Sequence, residues 1–306
     1  MSYKPALSET AANAPPTIRH DGLERGTPLQ CALRYPRIEL IPTARAQAHL
    51  QHLPCGATVA VTCSPSKGLM PTVELAVELA HRGFAVAPHL AARQVASESQ
   101  LLKVMEALLG AGVHDVFVVG GDVQQPAGPY RNALDMLRVL KTIHPDLKTG
   151  VAAYPEGHPT IDPGALFDDL AAKQDYARYM VTQMCFEAKT TVAYLEQLRA
   201  RGITLPAYVG IPGVVGTRKL LEVAARLGIG DSYKFLAKHF GSALKLVTGY
   251  RPDHLVDGCE AALGDTSLGL AGLHFFSFNQ VREFETWRQE QLTVDRNPFV
   301  ASGGSR

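Results

Sequence analysis

The stretch VAAYPEGHPT, residues 151–160, places Tyr154, Glu156 and His158 between two prolines, directly after a small apolar run. Three hydrogen-bonding side chains on one stiff turn suit the gripping of a polar ligand. The same habit recurs along the chain. Apolar runs exit through Glu39, Thr62, His89, Asp122 and Gln183, then through Pro212-Gly213, and last through Ser277 and Asn279. Glu39 lies inside an apolar run, where a bare carboxylate costs several kcal/mol unless it is paired or protonated. It is therefore either a salt-bridged structural group or an acid of raised pKa. Asp122 follows Gly120 and Gly121, which let the backbone come close to a ligand, although a plain turn aspartate reads the same way. Gln183 cannot ionise, so it either orients a substrate amide or ring edge or is a satisfied buried glutamine. His89 and His274, taken singly, read as packed imidazoles. No HxH pair occurs, so no metal is inferred. No lysine ends a strand and no GxSxG appears, which disfavours Schiff-base and serine-nucleophile chemistry. What remains is neutral hydrogen bonding around one or two carboxylates, suited to a polar heterocycle undergoing proton-assisted transfer.

These residues need a frame. Short apolar runs stand at 37–41, 58–62, 84–89, 115–120, 149–153, 179–184, 206–211 and 271–276. Helical periodicity fills most gaps, at 71–83, 98–112, 131–144, 188–202 and 217–228, with further helical stretches near 231–240 and 252–263. Strands alternating with helices imply parallel pairing and right-handed crossovers. Eight of them fit a (β/α)₈ TIM barrel, a single α/β domain. The rival, an open doubly wound sheet, lacks its GxGxxG; GIPGVVG at 210–216 has the wrong spacing. The barrel is predicted over 36–294, with an extended or mobile leader at 1–35 and a flexible tail at 295–306. A barrel puts its reactive groups at the strand C-termini, so the polar exits become one ring around a mouth.

The chain has 306 residues and a formal net charge of +1, which supplies no long-range attraction to nucleic acid or to an acidic membrane. A small-molecule partner is expected. The cysteines at 31, 55, 63, 185 and 259 are odd in number and scattered, so neither a zinc site nor a disulfide framework is supported. Cys63 and Cys185 fall near strand ends, but buried cysteine is usually packing. The start of the chain has no apolar signal core, and no run approaches a spanning helix. A reduced, cytoplasmic enzyme is the expectation, with self-association as a homo-oligomer open.

VAPHL, VGGD, VAAYPEGHP, VTQMCFEAKT and HFFSFN, in that order along the chain, resemble the methylenetetrahydrofolate reductases. The likeness runs from Glu39 to Asn279, and its most specific motif is AAYPEGHP. It implies a (β/α)₈ barrel that reduces 5,10-methylenetetrahydrofolate to 5-methyltetrahydrofolate, normally through FAD reduced by NADH or NADPH. By position, Glu39 resembles the general acid that opens the methylene bridge. Asp122 and Gln183 resemble the pair that hydrogen-bonds the pterin. Thr62, His89, Gly121, Tyr154, His158 and Lys173 match positions that line or grip the flavin, and Tyr130 could join them.

The departures from that pattern concern the flavin. Where the family usually writes a phosphate-binding arginine, this chain has Gly120; Leu166 and Ala172 replace other expected polar groups, leaving Lys173. The arginine expected to approach the folate is Gln280. Losing a phosphate-binding arginine removes charge-assisted hydrogen bonds of about 1.5–3 kcal/mol each. Two mechanisms stay open: FAD bound in altered fashion, or direct hydride transfer from a nicotinamide in the flavin's place. Other readings are a folate-dependent lyase or one-carbon transferase, and a non-catalytic folate-binding subunit.

Overall fold

The apolar runs pair side by side in chain order and then close on themselves. The computed structural model describes residues 26–43, 46–227 and 249–294. Strands β1 (Arg37–Leu40), β2 (Thr58–Val61), β3 (Ala85–Ala91), β4 (Asp115–Val119), β5 (Lys148–Ala153), β6 (Tyr179–Thr182), β7 (Ala207–Pro212) and β8 (Leu270–Phe276) form a closed barrel, all neighbours parallel. The predicted (β/α)₈ TIM barrel is what forms. Around it lie α1 (Pro28–Arg34), α2 (Gln47–Leu50), α3 (Met70–His81), α4 (Glu98–Gly110), α5 (Ala133–Ile143), α6 (Pro163–Lys173), α7 (Ala188–Ala200), α8 (Thr217–Leu227), α9 (Asp253–Gly258), α10 (Glu260–Gly264) and α11 (Val281–Thr293).

Strand alternation sorts the side chains into two cores. Ile38, Leu40, Val59, Val61, Leu273 and Phe275 face the helices and join the large outer core. The opposite parity fills the inside of the barrel, where Phe117, Tyr179 and Val181 pack together. Both faces of every strand are covered, which is why the strands read as nearly continuous apolar runs. Gly150 is required in this interior, because a Cβ there would lie 2.3 Å from the Tyr179 ring.

The inner face also carries charge. At the N-terminal end of the barrel, Arg37 donates to the Tyr179 hydroxyl at 2.7 Å, and that hydroxyl donates to Asp115 Oδ1 at 2.8 Å. Lys148 approaches Asp115 at 3.1 Å, and the Arg37 guanidinium lies over the Tyr179 and Tyr208 rings at 4.4 and 4.9 Å. This knot is a floor. Beneath it opens a cavity of about 970 Å³, lined in part by Lys148, Arg178, Tyr179, Tyr208, Asp146 and Asp265. It faces away from the strand C-termini, and Asp115 joins the two other carboxylates of its lining against the two cations.

Several expectations need correction. Within the stretch expected to be an extended leader, Pro28–Arg34 is helical, opened by a capping box between Thr27 and Gln30 and packed on α10 and α11. Leu29, Ala32 and Leu33 are buried by it. Residues 1–25, the tail from 295 and the helical stretch predicted near 231–240 lie outside the described residues. The helix predicted over 252–263 is broken at Cys259 into α9 and α10. Helices α6 and α11 form outside the stretches predicted to be helical; Asp162 caps α6 by accepting from Gly164 and Ala165.

Candidate active site

All strands run parallel, so the residues at or just past their C-termini share one rim. Thr62 follows β2, Asp122 lies beyond β4, Tyr154 follows β5 and Gln183 follows β6. Glu39 sits one step inside this rim on β1, pointing into the barrel. Its carboxyl faces His274 Nε2 at 3.5 Å and His89 Nε2 at 3.8 Å, both measured from Oε2. Burial pushes the Glu39 carboxyl up, and nearby His89 only partly opposes this. The same burial holds His89 down to about 4 and His274 to about 3, with Arg37 below adding to both. Among its described neighbours Glu39 has no permanent cation in ion-pair contact. Of the two sequence readings, the acid of raised pKa is the one this environment supports.

His89 arrives here because β3 alternates. Its ring packs on Phe117 with centroids 4.8 Å apart, deep inside the barrel. His274 has the same inward parity on β8 as Arg37, its register partner on β1. Read singly, neither histidine pointed to Glu39. Their parity relative to it was the usable signal.

A second cluster stands at the rim. Tyr154 lies in the fields of Asp169 and Asp122, and burial foremost pushes its hydroxyl up to about 12. Its ring meets His158 edge-on at 5.4 Å. His158 Nδ1 accepts from the Thr160 backbone at 3.3 Å. Lys173 is largely buried and ion-paired with Asp169 one turn earlier on α6. Tyr154 is thus the common neighbour of Asp122, His158 and Asp169, and Lys173 is tied to the same group through Asp169. Glu156 turns instead to the Cys185 thiol, whose pKa burial raises to about 12. Burial also raises the Cys63 thiol, so neither cysteine is a ready thiolate.

The loop bearing Asp122 is clamped from the 3-10 turn Ala92–Gln94 that follows β3. The Arg93 backbone N–H donates to Gly120 O at 3.0 Å, its carbonyl accepts from Ala127 at 2.9 Å, and its guanidinium bonds Gln124 O. Gly121 has φ of 90°, and a Cβ there would press on Ala91 at 3.1 Å, so glycine is needed. Gly120 borders open space.

The remaining predicted residues play varied parts. Gln183 folds its amide oxygen back to accept from Met184 N at 2.8 Å, which leaves its NH₂ for a ligand. The Thr62 carbonyl accepts from the Thr72 hydroxyl at 2.8 Å. Tyr130 is 3 % exposed and packs in the outer core. Gln280 precedes α11 without capping it. Asn279 is used on the backbone: its side chain accepts from Ile41 N at 2.8 Å and donates to Ile41 O at 2.9 Å and Thr43 Oγ1 at 3.2 Å. With Ser277 donating to Glu39 O at 2.5 Å, it fastens β8 to the exit of β1. Its φ of 62° suits asparagine better than most residues. Asn279→Ala is expected to lower stability by about 2–3 kcal/mol through lost hydrogen bonds and left-handed strain, read as a shifted denaturant midpoint.

Residues 45–284 match the family model described as methylenetetrahydrofolate reductase. The chain is 29 % identical over 160 residues to methylenetetrahydrofolate reductase 1 of Schizosaccharomyces pombe, covering 49 % of this chain and 25 % of that protein. It is 29 % identical over 150 residues to 5,10-methylenetetrahydrofolate reductase of Pectobacterium carotovorum subsp. carotovorum, covering 48 % and 50 %. A probable methylenetetrahydrofolate reductase (NADPH) of Caenorhabditis elegans is 30 % identical over 137 residues, covering 42 % and 20 %. The chain thus spans half or less of the length of these curated relatives. With its barrel, its rim motifs and a family match over most of its length, the chain belongs to the methylenetetrahydrofolate reductase family.

Proposed function

We propose that the protein reduces 5,10-methylenetetrahydrofolate to 5-methyltetrahydrofolate with NAD(P)H, Glu39 serving as the general acid. The observation that carries this reading is a carboxyl set inside the barrel between two neutral imidazoles, with burial raising its pKa. The reaction needs such a group. Protonating a nitrogen of the methylene bridge breaks one C–N bond and leaves an iminium. Hydride from the nicotinamide then adds to the iminium carbon, forming the methyl group and NAD(P)⁺. Asp122 and the Gln183 NH₂ offer an acceptor and donors for the pterin edge.

The rim does not fit a resident FAD diphosphate. Position 120 has no side chain, and Lys173 is already ion-paired with Asp169. A resident cofactor must be held tightly, whereas a nicotinamide co-substrate works at about 1 μM–1 mM and must leave each cycle. Direct hydride transfer in a ternary complex is the mechanism these residues favour. The purified protein is expected to show no flavin absorbance, to oxidise NAD(P)H only when methylenetetrahydrofolate is present, and to give intersecting rather than parallel double-reciprocal plots. Added FAD is expected to leave the rate unchanged. Parallel plots with FAD-dependent turnover would move the mechanism to two half-reactions; no folate-dependent oxidation under any condition would remove the reductase.

A further inference from the structure

Two imidazoles from different strands address one oxygen of Glu39. His274 Nε2 stands 3.5 Å and His89 Nε2 3.8 Å from Oε2, and His274 is 2 % exposed. His274 Nδ1 is buried without a hydrogen-bond partner. That orphan decides the tautomer. A buried N–H with nowhere to donate is rarer and costlier than an under-used acceptor lone pair. The lone pair therefore sits on Nδ1, and the ring proton on Nε2 points at Glu39.

We propose that His274, with His89 beside it, is a positioning residue: the two Nε2–H groups claim Oε2 of Glu39 and confine its transferable proton to Oε1. The inference rests on the reading of Glu39 as the acid. The separations exceed a normal hydrogen bond, and the device depends on that slack. Against the neutral acid the two N–H groups stand off. Once the proton leaves, the carboxylate draws both inward. Donors that tighten only on the ionised form favour the product side of proton transfer over its start.

The other charged and titratable groups packed nearby are known. Arg37 lies one layer below on the same strand, with Asp115, Lys148, Tyr179 and Tyr208 around it. On the flanking β2, Thr58–Val61 carries no titratable side chain. Burial keeps both rings neutral at physiological pH. They act toward Glu39 as donors, not as bases.

The test reads the carboxyl itself in the ligand-free full chain. Infrared difference titration follows the C=O stretch of protonated Glu39, assigned by its disappearance in Glu39→Gln. Removing a donor to the charged form raises an acid's pKa. His274→Phe keeps a ring and loses the N–H; its midpoint is expected to rise by about one pH unit or more. His274→Gln, whose amide N–H can reach the same oxygen, is expected to titrate near the wild type. Nitrogen-15 spectra of histidine-labelled wild type are expected to show His274 protonated at Nε2 and bare at Nδ1. An unmoved midpoint in the Phe variant, a Gln variant that behaves like Phe, or a proton on Nδ1 overturns the proposal. If the Phe variant does not fold, the Gln titration and the wild-type tautomer still decide. None of these readouts involves folate, so failure of the reductase assay and failure of this inference are separate results. In the active enzyme, His274→Phe is expected to lower kcat and shift its alkaline limb upward while the folate KM stays nearly constant.

Discussion

Glu39→Gln is expected to cut turnover by about 10²–10⁴-fold, the usual contribution of a placed general acid, with folate affinity nearly unchanged. Glutamine keeps the shape and can still meet the His89 and His274 N–H groups through its amide oxygen, but it has no proton to give. Affinity by fluorescence titration and turnover by NAD(P)H oxidation separate the two effects; near-normal turnover removes Glu39 from the mechanism. The pH dependence has a fixed sign. Burial holds the folded carboxyl above the usual carboxylate range, so the protonated form that the proposed acid role requires is lost as pH rises through the folded value. Stability follows the same direction. Glu39 costs nothing where it is protonated in both states, and its penalty grows as pH climbs from the unfolded pKa through the folded one. Glu39→Gln should therefore be more stable than wild type at alkaline pH, with the gap closing in acid. One substitution that removes activity yet gains alkaline stability would separate a catalytic acid from a structural ion pair.

Arg37→Met is expected to behave oppositely, losing about 3 kcal/mol, the low end for breaking a buried charge pair because Asp115 keeps Lys148 at 3.1 Å. Methionine retains much of the volume but gives up the hydrogen bond to Tyr179 and the contacts over the Tyr179 and Tyr208 rings. Denaturant unfolding measures the loss. Arg37 also depresses His89 and His274, so their pKa values should rise in this variant. An unchanged midpoint of unfolding would show that the floor is not a stabilising element.

The barrel was legible because the signal is redundant. Eight apolar runs and their intervening helices agree with one another, so an error at any single element does not change the count. Local chemistry at the edges was harder to read. The capping box of α1 is written in Thr27 and Gln30, but the apolar residues that follow it are too short a run to show a period and matter only once α10 and α11 lie against them. At the rim, the turn around Tyr154 and the glycine pair before Asp122 identified a polar mouth. Asn279 carried the same kind of signal and turned out to serve the β8–β1 seam. Side-chain type alone does not separate a ligand contact from a backbone clamp.

From the sequence alone followed the fold class, the ring of hydrogen-bonding exits, the unusual carboxyl in β1 and the glycine at 120, because each depends on residue order or identity. Tertiary structure decided which groups meet. Glu39, His89 and His274 are separated by up to 235 positions and come together only through the barrel's closure and register. Whether the acid is protonated depends on that closure, since the same glutamate in water is an ordinary carboxylate. Residue order supplied the carboxyl; the enclosing strands placed it beside two imidazoles and out of water.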